Sequence, residues 1–456
     1  MLNFCSTWYN DDGDSMFEKF NLLRKQYSEI IYRNYQISYD EEVMQIKYQF
    51  EIPNLITFEP TISIPKKDIT NDSINEILLN SIIFRLGLIE LISYYKCVCP
   101  KKVVIEAGFI DEEEQAWFKK LFFNGLGEFF YVNNIKVREE ELFEFEVKGE
   151  KIELGSISYL GHGNLIPIGG GKDSIVTLEL LKDYDNKCFI INPKQVHLDC
   201  VKGNDFYTVK RTIDKNLIEL NKQGFLNGHT PFSAIVAFTS YLVAYLTNRK
   251  YIVLSNEGSA NEATVIGTNI NHQYSKTFEF EKDFYSYTKK YFQIDIHYFS
   301  LLRPIKEIQI AYLFSHYKKY HKIFRSCNVG SKETPWKWCC NCAKCLFVYI
   351  IMEAFMSENE VIHIFGENMM NKKELEPIFL ELIGKGDTKP FECIGTVEEV
   401  KYAMNRIIKK DSSYLATLYK NNYYEEINLD LTKLYYENHV IEEYLEILKD
   451  AIRNAK

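Results

Sequence analysis

Residues 166–174 read IPIGGGKDS, three glycines followed by Lys172, Asp173 and Ser174. The apolar run NLIPI enters this stretch and the leucine-rich stretch Ser174 to Leu181 leaves it, so the pattern is strand, glycine loop, helix. Backbone N–H groups at a helix start form an anion site. The missing Cβ atoms of Gly169, Gly170 and Gly171 let a phosphate-bearing ligand approach the main chain. A second constellation lies at 327–345, CNVGSKETPWKWCCNCAKC. Cys339, Cys342 and Cys345 recur every three residues and Cys327 lies twelve before Cys339. Four thiolates on this scale close a tetrahedron around Zn²⁺ with no open position, which suits a structural metal. Cys340 is either a spare thiol or a substitute ligand.

Other reactive side chains gather in short segments. VLSNEGSAN places Asn256 and Glu257 just past a strand end, and NHQYSKT brings His272, Gln273, Ser275 and Lys276 together without apolar periodicity, which suits an anionic ligand. Arg303 in SLLRPIKEI precedes a helix-opening proline. KPFECIG sets Glu392 beside Cys393 in a turn between helices; against catalysis there, buried cysteine ordinarily serves as a small hydrophobe.

Three nucleotide motifs compete for the glycine loop. A Walker A loop fails twice, because Ile166 and Asp173 stand where it needs Gly and Ser or Thr. A dinucleotide fingerprint lacks its ribose-binding acid downstream. The loop resembles the Ser-Gly-Gly-x-Asp-Ser pyrophosphatase loop of the PP-loop enzymes, with Gly169 replacing the first Ser. That resemblance implies a site for the pyrophosphate end of ATP, with AMP and pyrophosphate as products.

The elements that must position these residues follow from patterning. NKCFIIN (186–192), KYIVLSN (250–256) and QIDIHYF (293–299) read as buried strands, and Ser233 to Thr247, Lys282 to Tyr291 and Ile305 to Tyr317 as the helices among them. Such alternation predicts an α/β fold with a parallel sheet covered on both faces, whose ligands sit beyond the carboxyl ends of the strands. Upstream, MQIKYQFEI and KVVIEAGFI read as strands, the stretch from Ile74 to Tyr95 as a helix, and VREEELFEFEVKGEKIEL as a hairpin. At 456 residues the chain exceeds a single core. We expect an α+β domain over 1–157, a nucleotide-binding domain over 158–325, and a zinc-stapled helical region over 326–456.

Composition narrows the function. With 46% hydrophobic and 26% charged residues the chain is an ordered globular protein, and a net charge of -9 argues against general nucleic-acid binding. The opening MLNFCSTWYNDDGDS lacks a basic and then apolar leader, and AIVAFTSYLVAYL, read as the most apolar helix, is too short to span a bilayer. Eleven cysteines then point to a reducing, cytoplasmic setting, where thiol clusters mean metal or catalysis.

Taken in order, GGGKDS, LSNEGSANEA, NHQYSKT, LLRPIKEI, the SCN…WCCNCAKCLFVY block and KPFECIGTVEE resemble the UDP-N-acetylmuramoyl-L-alanyl-L-glutamate epimerases, as do FRLGLIELISYYK and GLGEFFYVN upstream. The sequence departs from the family at Cys340, where Gly is expected, and in SNEGSANEATVIGTN, where the family shows an SNExSAS-like run. The resemblance implies a PP-loop (adenine nucleotide alpha hydrolase-like) domain and ATP-dependent inversion of the terminal L-Glu of UDP-MurNAc-L-Ala-L-Glu during peptidoglycan precursor synthesis. A muramoyl-L-alanine–L-glutamate ligase becomes the pathway neighbour. Residues 169–174 would hold ATP, with Lys172 neutralising charge and Asp173 orienting the loop or binding Mg²⁺. Asn256, Gln273, Ser275 and Arg303 would bind substrate. Glu257, His272, Lys276, Glu392 and Cys393 are the candidates for proton transfer. Rival readings are a cyano-deazaguanine synthase, a tRNA-modifying PP-loop enzyme and a non-catalytic ATP-binding subunit.

Overall fold

The computed structural model describes residues 13–455 apart from 152, 154, 156, 263–270, 272, 273, 387 and 388. Its strands are β1 (Glu29–Tyr39), β2 (Val43–Ile52), β3 (Ile56–Phe58), β4 (Thr61–Pro65), β5 (Lys102–Ile105), β6 (Glu144–Val147), β7 (His162–Pro167), β8 (Asn186–Ile191), β9 (Phe206–Thr212), β10 (Arg249–Leu254) and β11 (His297–Ser300). They join in one sheet of order β11-β10-β7-β8-β9-β4-β2-β1-β5-β6, with β3 against β2.

The five strands from β11 to β9 are mutually parallel, as the alternation of strands and helices requires. Leu165, Ile166, Ile252 and Val253 are buried because helices cover both faces, which explains apolar runs in place of alternation. β7 lies between β8, the next strand in sequence, and β10, three strands later. The order therefore reverses at β7 and β10, leaving a crevice beyond their carboxyl ends. IPIGGGKDS leaves β7 and SNEGSAN leaves β10 at that crevice.

Beyond β9 the sheet turns antiparallel and continues into the N-terminal strands through β4, with Ile62 opposite Arg211. The helix Glu76–Tyr95 is long and apolar enough to cross a membrane by length and composition. It exceeds the 234–246 stretch on that test. Here it is the core helix of this region, buried from Leu78 to Tyr95 on nearly every side, as a helix apolar all round must be. Its side chains share one core with the helix Phe232–Leu246 behind the parallel strands. A second core covers the opposite face with the helices Lys172–Leu180, Glu307–Ser315 and Ala343–Glu353. The last helix, Glu442–Ile452, is pinned to β7 by Tyr444, whose hydroxyl donates to Asn164 Oδ1 at 2.8 Å.

The acidic stretch after residue 137 is not a hairpin among its described residues. Glu139–Glu141 form a helical turn, and β6 adds to the sheet edge parallel to β5, from Lys102 opposite Glu144 to Ile105 opposite Val147.

Candidate functional site

The loop after β7 is shaped by one obligatory glycine. Gly170 has φ +79, and a Cβ there would come 3.0 Å from Val196 Cγ1 and His197 Cδ2. Gly169 needs no such excuse: a Cβ on it meets nothing within 4 Å, so its face opens on the cavity. Gly171 is the N-cap of the helix Lys172–Leu180 and supplies no side-chain cap, so the N–H groups of the first turn stay available for an anion. This is a cradle suited to phosphate oxygens.

The charged residues of the loop divide their tasks. Lys172 is 2% exposed and does not line the cavity. Its ammonium is held between Asp173 and Glu307, at 2.8 Å from Glu307 Oε1. Asp173 faces the cavity, where burial opposes its charge but Lys172, Lys344 and Lys276 hold its pKa below the ordinary carboxylate value. Burial and the neighbouring Asp173 push Glu307 up to about 8, and its Oε2 is buried with no hydrogen-bond partner. Oxygens of Asp173, Glu257 and Glu307 lie within 4.8 Å of one another. Three carboxylates around one orphaned oxygen fit the oxygen donor set of a hard divalent cation such as Mg²⁺.

The cavity beyond the loop measures about 680 Å³. Its lining includes Gly169, Gly171, Asp173 and Ser174 from the loop, Asn256 and Glu257 after β10, and Lys276, Lys344, Trp336 and Cys393. Asn256 Nδ2 donates to Ser300 Oγ at 3.2 Å. Lys276 Nζ donates to Cys393 Sγ at 3.2 Å, and Lys344 Nζ donates to the Cys393 carbonyl. Burial lowers the Lys276 pKa, but the Cys393 sulfur and the Glu257 carboxylate outweigh it and hold the value above that of a free lysine.

Arg303 does not reach the cavity. It is wholly buried, paired at 3.0 Å with Glu281, and donates to the carbonyls of Glu257 at 2.7 Å and Lys276 at 2.5 Å. Its planar fork therefore fixes the backbone under two cavity residues. Ser275 is buried and off the cavity wall, and Glu392 turns to Asn328 Nδ2 at 2.7 Å, its pKa raised by burial. His272 and Gln273 lie outside the described residues. Sequence reasoning passed over Glu307, Lys344, Lys194 and Trp336. The position of Lys344 between two of the clustered cysteines was the available signal.

The cysteine cluster forms beside the cavity. The Sγ atoms of Cys327, Cys339, Cys342 and Cys345 all lie within 4.8 Å of one another, with Cys327 to Cys342 at 3.9 Å and Cys339 to Cys345 at 3.7 Å. A zinc–sulfur bond of about 2.3 Å implies tetrahedron edges near 3.8 Å, so the four thiols fit that ion. Gly330 N–H donates to Cys327 Sγ at 3.1 Å, a contact that orients a ligand. Cys340 points away, to the Phe365 carbonyl, and is no part of the group. Its φ of +54 explains why glycine suits that position.

The fold is α/β, and a glycine loop at a strand-order reversal, an acidic triad and a thiol–ammonium pair meet in one cavity, an arrangement suited to an anionic ligand. The family model described as the MurL N-terminal domain matches residues 21–301, and that described as the MurL C-terminal domain matches 323–427. The chain is 32% identical over 354 residues, 75% of its own length and 78% of the relative's, to a UDP-N-acetyl-alpha-D-muramoyl-L-alanyl-L-glutamate epimerase of Xanthomonas oryzae pv. oryzae. It is 33% identical to a protein of that name from Micromonospora sp., over 73% of this chain and 76% of that one. A third so named, from Salinispora tropica, is 32% identical over 72% and 73% of the two chains. The chain belongs to the MurL family of epimerases.

Proposed function

We propose that this protein inverts the terminal L-glutamate of UDP-MurNAc-L-Ala-L-Glu to D-glutamate through an acyl-adenylate, consuming ATP and releasing AMP and pyrophosphate. The observation that carries this reading is the open glycine cradle facing the same cavity as Lys276 and Cys393. Phosphate recognition and proton-transfer groups meet within one enclosure. The names of the relatives supply the substrate. The match in both the N-terminal and the C-terminal portions favours it over the shorter cyano-deazaguanine synthase.

ATP has a physical purpose here. The α-hydrogen beside a free carboxylate is very weakly acidic, because deprotonation would place a second negative charge next to the first. Adenylation cancels that charge and turns the carbonyl into an electron sink. Each 1.36 kcal/mol removed from the barrier gives about a tenfold gain in rate. Backbone N–H groups from Gly171 onward would hold the departing pyrophosphate, and Lys172 acts from behind by fixing Asp173 and Glu307. Asp173, Glu257 and Glu307 would hold Mg²⁺, which supplies charge neutralisation at the phosphates. The four-cysteine group would hold a structural zinc. In this reading the enzyme works in the cytoplasm on the product of a ligase that adds L-glutamate to UDP-MurNAc-L-Ala.

The test is chiral analysis of glutamate recovered after incubating the dipeptide substrate with the protein, ATP and Mg²⁺. D-glutamate should appear only with the nucleotide. Inversion without ATP, or none with it, removes the proposal.

A further inference from the structure

The proposed reaction leaves open which group takes the α-proton. Resting on that epimerase reading, we propose that Cys393, as the thiolate paired with the Lys276 ammonium, is the base that removes the α-hydrogen of the adenylated glutamate.

Placement carries the argument. Cys393 shares the cavity wall with Gly169, Gly171 and Asp173, on the enclosure onto which the glycine loop opens. The loop bearing it is held at three points. Lys276, preceding the helix Phe278–Tyr291, contacts the sulfur at 3.2 Å. Lys344, from the first turn of the helix Ala343–Glu353, grips its carbonyl. Phe391 packs on Tyr131 of the N-terminal helix Gly127–Val132 with ring centroids 5.3 Å apart. A thiol so placed is pre-positioned, and an ammonium at that distance attracts its negative form.

The competing described acids have other engagements. Glu257 lies in the acidic triad with Asp173 and Glu307, and Glu392, which does not line the cavity, accepts from Nδ2 of Asn328 on its wall. Cys393 stands on the wall outside that triad, as a proton acceptor paired with an ammonium.

The step balances. The Cα–H bond breaks, an S–H bond forms on Cys393, and the electron pair moves onto the acyl-adenylate carbonyl oxygen. The pair returns to Cα, which takes a proton from a water on the opposite face. The hydroxide left behind takes the proton of the Cys393 thiol, restoring thiolate and water.

The experiment uses the full-length Cys393→Ala and Cys393→Ser proteins with UDP-MurNAc-L-Ala-L-Glu, ATP and Mg²⁺ in heavy water. Two signals are read: pyrophosphate release, which reports adenylation, and deuterium at the glutamate α-carbon, which reports proton transfer. Both variants should release pyrophosphate within about tenfold of the parent while deuterium incorporation falls by about 10²–10⁴. Deuterium incorporation within tenfold of the parent in either variant overturns the assignment. Loss of pyrophosphate release in both overturns it too, by moving Cys393 to adenylation. A parent enzyme that releases no pyrophosphate at all removes the epimerase reading itself, a result distinct from the other two.

Discussion

The indole N–H of Trp336 donates to the carbonyl oxygen of Cys327 at 2.9 Å, so one wall of the cavity hangs from the first of the four clustered cysteines. Lys194 sits 5.2 Å over the same ring, and His197 meets it edge-on at 5.8 Å. The four-cysteine group, which would hold the zinc, is thus tied to the cavity wall through Trp336.

Metal removal should therefore be felt in the cavity. The native protein is expected to carry one zinc per chain, and a chelator under reducing conditions should shift tryptophan emission and raise the KM for ATP by about tenfold, or 1.4 kcal/mol. The emission change should shrink in Trp336→Phe. Cys342→Ser should lose the metal and destabilise the C-terminal half severely, because such sites contribute on the order of 10 kcal/mol in small metal-folded peptides. Absence of metal from native protein, or emission unchanged by its removal, contradicts this.

The glycines should respond unequally to substitution. Gly170→Ala forces a side chain into the left-handed region, at about 1–2 kcal/mol, and against Val196 and His197, so activity should fall at least about tenfold. Gly169→Ser enters open space, so kcat/KM should stay within about threefold. Steady-state kinetics on the two variants decide the matter; equal losses would contradict the loop geometry.

Glu353 sets a pH dependence of stability. Both its carboxylate oxygens are buried without partners, and burial, aided by Asp411, pushes its pKa up to about 8. The neighbouring Lys410 spends its ammonium on the carbonyls of Glu353 and Met356. The folded value lies above the unfolded one, so the folded state binds the extra proton. The contribution of Glu353 is greatest below about pH 4.3 and declines as pH rises toward 8, by at most about 1.4 kcal/mol per unit. Glu353→Gln removes this loss and should exceed the parent by up to about 5 kcal/mol at pH 8, with the gap narrowing to about 1 kcal/mol at pH 5. Urea titrations across that range measure it, and a gap independent of pH would contradict it.

Local pattern made much of this legible. IPIGGGKDS is strand, loop and helix as its residues demand, and the spacing of Cys327, Cys339, Cys342 and Cys345 converges in space. The expectation of glycine at Cys340 meets a positive φ. What stayed hidden depends on distant partners. Glu307 reaches Lys172 across 135 residues, and β4 joins β9 through an antiparallel pairing that no local periodicity encodes. Arg303 reads identically in sequence whether it faces solvent or closes on buried carbonyls. The acidic run after residue 137 suggested a hairpin because alternation sets strand character, while the partner of β6 is chosen by the sheet edge.

In the proposed reaction the glutamate α-carboxylate becomes covalently joined to the adenylyl group before its neighbouring carbon is inverted. Substrate carrying ¹⁸O in that carboxylate tests it most directly. Attack of the carboxylate on the α-phosphorus and hydrolysis at the acyl carbon must leave one substrate oxygen in AMP. Mass spectrometry should find singly labelled AMP formed together with D-glutamate. Unlabelled AMP accompanying inversion, or D-glutamate formed with no AMP, would contradict the account.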